Sequence, residues 1–206
     1  ATGAWPKSNS DVWTWFENRC GASASFFWKA FNNRDLILYA QRQALLEWFE
    51  NEMYHLDDTN VPFDWDHIFP HSCVKRKKNI SRILRAVYNS NGNFRAWPYP
   101  LNRSDQDKLP SVKLNPNEEN TENYSEMFEK WLKFFKSRTK INVDINKLTT
   151  QFLEWSKCNE NWIETKITSV KNNSKEVYKL IIERNVALCT EWYDELLIDN
   201  LIPEQD

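Results

Sequence analysis

Prolines and turn residues cut the stretch from residue 61 to residue 110 so finely that no long helix fits there. Pro70 stands inside Asp66-His67-Ile68-Phe69-Pro70-His71-Ser72, where its ring would clash with the preceding turn and its missing N–H would leave a helical carbonyl unpaired. Phe63 to Ile68 alternates enough to predict a short strand. Residues 80 to 89 place Ile80, Ile83, Leu84 and Val87 on one helical face. Asn89-Ser90-Asn91-Gly92-Asn93 is turn chemistry, with Gly92 free to take positive φ. Phe94 to Tyr99 reads as a second strand and Asn102 to Lys108 as a short helix. The chain is thus expected to run strand, loop, strand, helix through this region.

The same stretch carries the most pointed chemistry. Asp66 offers a hard oxygen to a divalent cation, and His67 offers an imidazole able to accept a proton from water near neutral pH. On an extended backbone the two side chains point to opposite faces and can flank one phosphate. Two asparagines follow, Asn93 and Asn102, within a basic neighbourhood. Residues 61 to 110 hold nine basic residues (Lys75, Arg76, Lys77, Lys78, Arg82, Arg85, Arg95, Arg103, Lys108) against four acidic ones, whereas the whole chain has a formal net charge of −2. A basic island inside a near-neutral chain is the footprint a polyanion needs, because counterion release from phosphates supplies most non-specific affinity. The plainer meaning of Lys75 to Lys78 is a solvated charged loop.

Asp66-His67-Ile68-Phe69-Pro70 through Asn93 to Asn102 resembles the HNH (ββα-metal, His-Me finger) nucleases. It is most similar to the nuclease domain at the C-terminal end of GmrSD-type modification-dependent restriction and phage-defence proteins. The likeness covers residues 34 to 114, including the flanks Arg34 to Arg42 and Asn102 to Pro110. The resemblance implies Asp66 as metal-binding acid, His67 as general base, Asn93 as the brace of the loop between the strands, and Asn102 as second metal ligand. It further implies one Mg²⁺ or Mn²⁺ ion, DNA as substrate, and products with 5′-phosphate and 3′-hydroxyl ends. Lys108, by its family position, would stabilise charge developing on the phosphate, with Arg103 and the Lys75-Arg76-Lys77-Lys78 run meeting the backbone. Trp97, Pro98 and Pro100 depart from the family pattern and crowd the second strand. The resembling proteins carry an N-terminal NTPase-like recognition region, which is the partner domain expected for the intact protein. An inactive nucleic-acid-binding or partner-docking domain of such a protein is the alternative.

Around this core the fold class expected is mostly α, with a small ββα-metal core over residues 61–114, an N-terminal helical segment over 1–60 and a C-terminal one over 115–206, packed as one unit. Ser10 and Gly21 bracket a first helix, Phe26 to Phe31 lies in a second, and a stronger apolar rhythm runs from Asp35 to Met53. Within it Gln41 and Arg42 are expected at the surface or bracing the helix. Asn115 to Glu126 is polar and acidic and is expected to form a loop. Further helices are expected over residues 124–136, 145–155, 160–170 and 174–197. Three glycines beside eleven tryptophans fit a helix-rich core packed with aromatic rings. Cys20, Cys73, Cys158 and Cys189 form no Cys-x-x-Cys pair, so neither a disulfide framework nor a zinc knuckle is indicated. His67 and His71 have a four-residue spacing, but Pro70 breaks the helix through which that spacing would bring them together. No run of apolar residues reaches membrane-spanning length and no secretory signal is recognisable, so a cytoplasmic protein is expected.

Overall fold

The computed structural model describes residues 33–49, 61–74, 82–116, 118–136, 144–164, 167, 169 and 172–195. The expected helices near residues 10–31, Cys20 and the Lys75 to Lys78 run lie outside them. The described chain is mostly helical, with one antiparallel two-stranded sheet. In order it forms α1 (Asp35–Ala40), α2 (Arg42–Phe49), β1 (Phe63–His67), α3 (Arg82–Tyr88), β2 (Phe94–Pro98), α4 (Tyr99–Asp105), α5 (Pro110–Lys113), α6 (Glu118–Phe134), α7 (Ile145–Ser156) and α8 (Ser174–Glu195). Short 3₁₀ turns cover His71–Cys73, Asn91–Asn93 and Glu160–Ile163.

The strands pair with Asp64 opposite Trp97, Asp66 opposite Arg95 and His67 opposite Phe94. Since side chains alternate across a strand, Asp64 and Asp66 share one face and Phe63, Trp65 and His67 share the other. β2 runs straight into α4. Pro98 is extended, and Pro100 sits in the first turn of the helix, where its missing N–H has no intrahelical partner to lose. The two prolines that were expected to distort the strand therefore end it and start the helix, three residues before the expected helix start.

Gln41 interrupts the first helical rhythm, with φ −94° and ψ 8° between α1 and α2. Far from lying at the surface, it is buried. Its amide nitrogen donates to the Ala96 carbonyl and the Trp155 carbonyl, and its amide oxygen accepts from the Ala96 N–H. Arg184, on α8, donates from Nη1 to the carbonyls of Asn91, Gly92 and Phe94, and from Nε to that of Ser156. Two buried side chains thus satisfy backbone groups of β2 and of the preceding turn, and tie both to the last turn of α7. Without them those groups would be buried and unpaired.

Three sequence expectations fail for identifiable reasons. Residues from Glu118 onward are helical, not a loop, because α6 places Tyr124, Phe128, Trp131 and Leu132 against the core, and that burial outweighs the polar composition of its first turns. Residues 160 to 163 form only a 3₁₀ turn capped by the Asn159 side chain, and Glu164 is already extended. Gly92 does not adopt left-handed φ. A Cβ there would stand 2.0 Å from the Ile181 carbonyl, so the glycine allows the turn to press against α8. The core itself is aromatic, as composition suggests: Trp48 makes edge-on contacts with Trp97, Trp131 and Trp155 at 5.8, 6.1 and 5.6 Å between ring centres.

Candidate functional site

His67 closes β1, and its surroundings are built by the loop that follows and by the turn before β2. The Asn93 carboxamide stitches these together. Its oxygen accepts from the Phe69 N–H at 2.8 Å, and its nitrogen donates to the carbonyls of Phe69 and Tyr88 at 3.1 and 3.0 Å. The Ile68 N–H donates to the Asn93 carbonyl and the Tyr88 hydroxyl to that of Pro70. Asn93 is wholly buried, so each bond replaces one that water would otherwise make.

On this scaffold His67 rests 4.0 Å from the Phe94 ring, 5.3 Å from the His71 ring at an interplanar angle of 21°, and has Nε2 3.3 Å from Asn89 Oδ1. Burial lowers its pKa to about 4; the neighbouring His71 and Arg34 add to the lowering, while the Asn89 bond and Asp66 oppose it. The imidazole is therefore neutral at physiological pH. Arg34 stands over the Phe94 ring at 3.4 Å and over Trp65 at 5.4 Å, and bonds Asn91. This face of the hairpin thus holds a neutral imidazole, a guanidinium and aromatic rings.

The opposite face holds charge in a different form. Asp66 is buried, with one carboxylate oxygen 2.8 Å from Arg95 Nε and the other 2.7 Å from Lys113 Nζ. Arg95 also donates to Ser156 Oγ and lies 3.5 Å from Asp105, which accepts from the Tyr124 hydroxyl at 2.6 Å. Lys113 further donates to the His67 carbonyl. Burial raises the pKa of Asp105, opposed by Arg95, and lowers that of Lys113, opposed by Asp66. Two carboxylates and two cations thus balance one another in the interior, where an unpaired charge would be costly.

The resemblance implies Asp66 and Asn102 as ligands of one metal. In the structure Asn102 instead donates to Asp64 at 3.2 Å, and Arg103 stands 3.5 Å from the same Asp64 oxygen. Asp66 has each oxygen occupied by a cationic nitrogen. Asp66 and Asn102, so arranged, do not fit a shared Mg²⁺ or Mn²⁺ ion. Among the described residues no three His, Cys, Asp or Glu side chains converge as a metal cluster would. Lys108 lies 6.0 Å from the centre of the Tyr124 ring. Of the basic island, Arg95 points inward, Arg103 is exposed and Lys108 half-buried.

Arg95, Lys113, Asn89, Gln41 and Arg184 went unrecognised as site-building residues in the sequence, and some signals were there. Arg95 breaks an otherwise apolar Phe94-Arg95-Ala96-Trp97 strand. Arg184 falls on the Val177, Ile181, Leu188 stripe of the last helix, where a charge demands an internal partner. Nothing local marks Lys113, whose partner lies 47 residues away. No described helix is long and apolar enough to cross a membrane. No family model matches the chain, and no curated protein or solved structure matches it.

Proposed function

We propose that the chain is an HNH-like endonuclease domain that hydrolyses DNA phosphodiester bonds, the effector part of a bacterial restriction or anti-phage protein. The observation that carries this reading is the neutral His67 at the end of β1, held in a strand–loop–strand–helix unit by the Asn93 carboxamide. A general base must be unprotonated at working pH and fixed in place, and His67 meets both conditions. With Asn89 Oδ1 accepting, Nε2 carries the ring hydrogen and Nδ1 keeps the lone pair that takes a proton from attacking water. Arg34 adds a positive charge beside the same face, and the Lys75 to Lys78 run supplies phosphate contacts.

A second reading has its own observation. Arg95 and Lys113 hold Asp66 as a permanent ion-pair partner would, which suits a nucleic-acid-binding domain that has lost its chemistry. Supercoiled plasmid separates the two. Incubated with Mg²⁺, with Mn²⁺ and with chelator, an active domain converts plasmid to open circles in at least one of these conditions, and His67→Ala does not. Binding without conversion under all three conditions would discard the nuclease and leave the binding domain.

A further inference from the structure

Arg34 is the guanidinium on the His67 face, and its partners leave its charge uncompensated. Its Nη1 donates to Asn91 Oδ1, a neutral acceptor, at 3.2 Å. Arg42, Arg95 and Arg103 each stand near a carboxylate, at 3.7, 2.8 and 3.5 Å, and Arg184 is committed to four backbone carbonyls. Arg34 is half-buried, and burial lowers its pKa to about 10; among the described residues no carboxylate opposes that shift. A guanidinium carries five N–H donors, and one that has given up part of its hydration favours a ligand that brings both negative charge and acceptors.

The surroundings say where such a ligand would sit. Arg34 Cζ lies 3.4 Å from the centre of the Phe94 ring and the His67 imidazole 4.0 Å from the same centre, so guanidinium and imidazole are no farther apart than the sum of those distances. One phosphate reaches both: its oxygens take charge-assisted N–H bonds at about 2.7–2.9 Å, and a base reaches an attacking water at about 2.6–3.2 Å. Asn91 holds the guanidinium in place. Its amide oxygen accepts from Arg34, its amide nitrogen donates to the Asn33 carbonyl, and its own carbonyl is held by Arg184. A donor fixed before its ligand arrives loses little freedom on binding. Trp65, half-buried with Arg34 5.4 Å from its ring centre, offers an aromatic surface on which a base attached to that phosphate can stack.

We infer that Arg34 and His67 bracket a single phosphodiester of a nucleic-acid strand, Arg34 holding its non-bridging oxygens and Trp65 receiving an adjoining base. The choice of nucleic acid rests on the proposed function, but binding itself requires no cleavage. If the domain does hydrolyse the diester, the charge that gathers on the phosphoryl oxygens falls beside a guanidinium already in position.

The test uses the ¹⁵N-labelled full chain, in chelator, with thymidylyl-thymidine as a probe carrying one phosphodiester. Its methylphosphonate analogue, neutral at the same linkage, and inorganic phosphate serve as comparisons. The His67 ring signals, identified by their loss in His67→Ala, should shift saturably with the diester and respond at least tenfold more weakly to the neutral analogue. Arg34→Gln should weaken diester binding at least tenfold, and Arg34→Lys, which keeps the charge without the planar fork, by less. The comparison of charged with neutral linkage needs only the wild-type chain, so it decides even where a variant folds poorly. The inference is overturned by equal affinity for the two linkages, which would leave base stacking alone, or by equal diester affinity in wild type and Arg34→Gln. It is also overturned by inorganic phosphate binding as tightly as the diester, which would make this a free-phosphate site, or by unmoved His67 signals at millimolar diester. A chain that binds the diester through Arg34 but cuts no plasmid would discard the nuclease and keep this site. An active nuclease with kcat/KM unchanged in Arg34→Gln would keep the nuclease and discard the site.

Discussion

At the scale of single residues, His67 and Asn93 occupy adjoining positions yet should fail in different ways. His67→Ala removes a proton acceptor and little core volume, so plasmid nicking should disappear while the melting temperature near neutral pH stays close to wild type. Its titration offers a second measurement. The folded pKa is about 4 against an ordinary 6.5, lowered chiefly by burial. The folded state therefore binds fewer protons than the unfolded state between those values, and stability is full above pH 6.5 and declines as pH falls toward 4. His67→Ala lacks this group, so the gap between its melting temperature and that of wild type should shift in the variant's favour across that window. A constant gap would mean that His67 is not buried as described. Asn93→Ala strands the Phe69 N–H and the carbonyls of Phe69 and Tyr88, and should cost about 1–3 kcal/mol in urea unfolding, with loss of the loop's order as its cause. A fully stable Asn93→Ala variant would show that water replaces the carboxamide there.

Between elements, the hairpin is held from two sides by buried polar groups, and each makes a distinct prediction. Arg95→Met keeps approximate volume but leaves Asp66 with Lys113 alone and Asp105 without its guanidinium, which should destabilise the fold by about 3–5 kcal/mol. If Asp66 served mainly to bind a divalent cation, the same variant would instead free its carboxylate, and added Mg²⁺ would raise the melting temperature above that of wild type. Gly92→Ala should also be severely destabilising, because the new methyl group meets the Ile181 carbonyl and the Asn185 side chain at 2.0 and 2.7 Å. A mild effect would require α8 to move aside. These contacts also mark how far the sequence could be read. Strand alternation, Pro70 and the Asn89-to-Asn93 turn were local signals, and both strands stand within a residue of where they were expected. Gln41, Lys113 and Arg184 act on partners 28 to 114 residues away, and no local periodicity encodes which backbone group a buried amide or guanidinium will reach. The pairing of Asp66 with Arg95 was latent in the strand register. The stacking of His67 with His71 runs through Pro70 and the 3₁₀ turn His71–Cys73, a route that no helical or strand periodicity encodes.

At the scale of the whole set of described residues, buried charge is met in two ways, by ion pairing among four side chains and by the backbone carbonyls that receive Arg184. Asp66, Arg95, Asp105 and Lys113 cancel within the core, so they contribute little to the field a polyanion meets. Under the proposed function, phosphate contacts are expected from the Lys75, Arg76, Lys77 and Lys78 run of the sequence together with Arg103, which is exposed on α4. Binding to duplex DNA should therefore rest on phosphates, show little sequence preference and weaken steeply with salt. Each phosphate contact contributes about −0.9 to the slope of log K against log salt, so neutralising all four residues of the run should lower that slope by up to about 3–4. On supercoiled plasmid, single strand cuts by independent molecules should give open circles first and linear DNA only as nicks accumulate on opposite strands. An unchanged salt slope in the neutralised variant would move the DNA surface elsewhere on the chain. Linear product without an open-circle stage would mean that two active sites cut together, and a dominant cut position would mean that base edges are read.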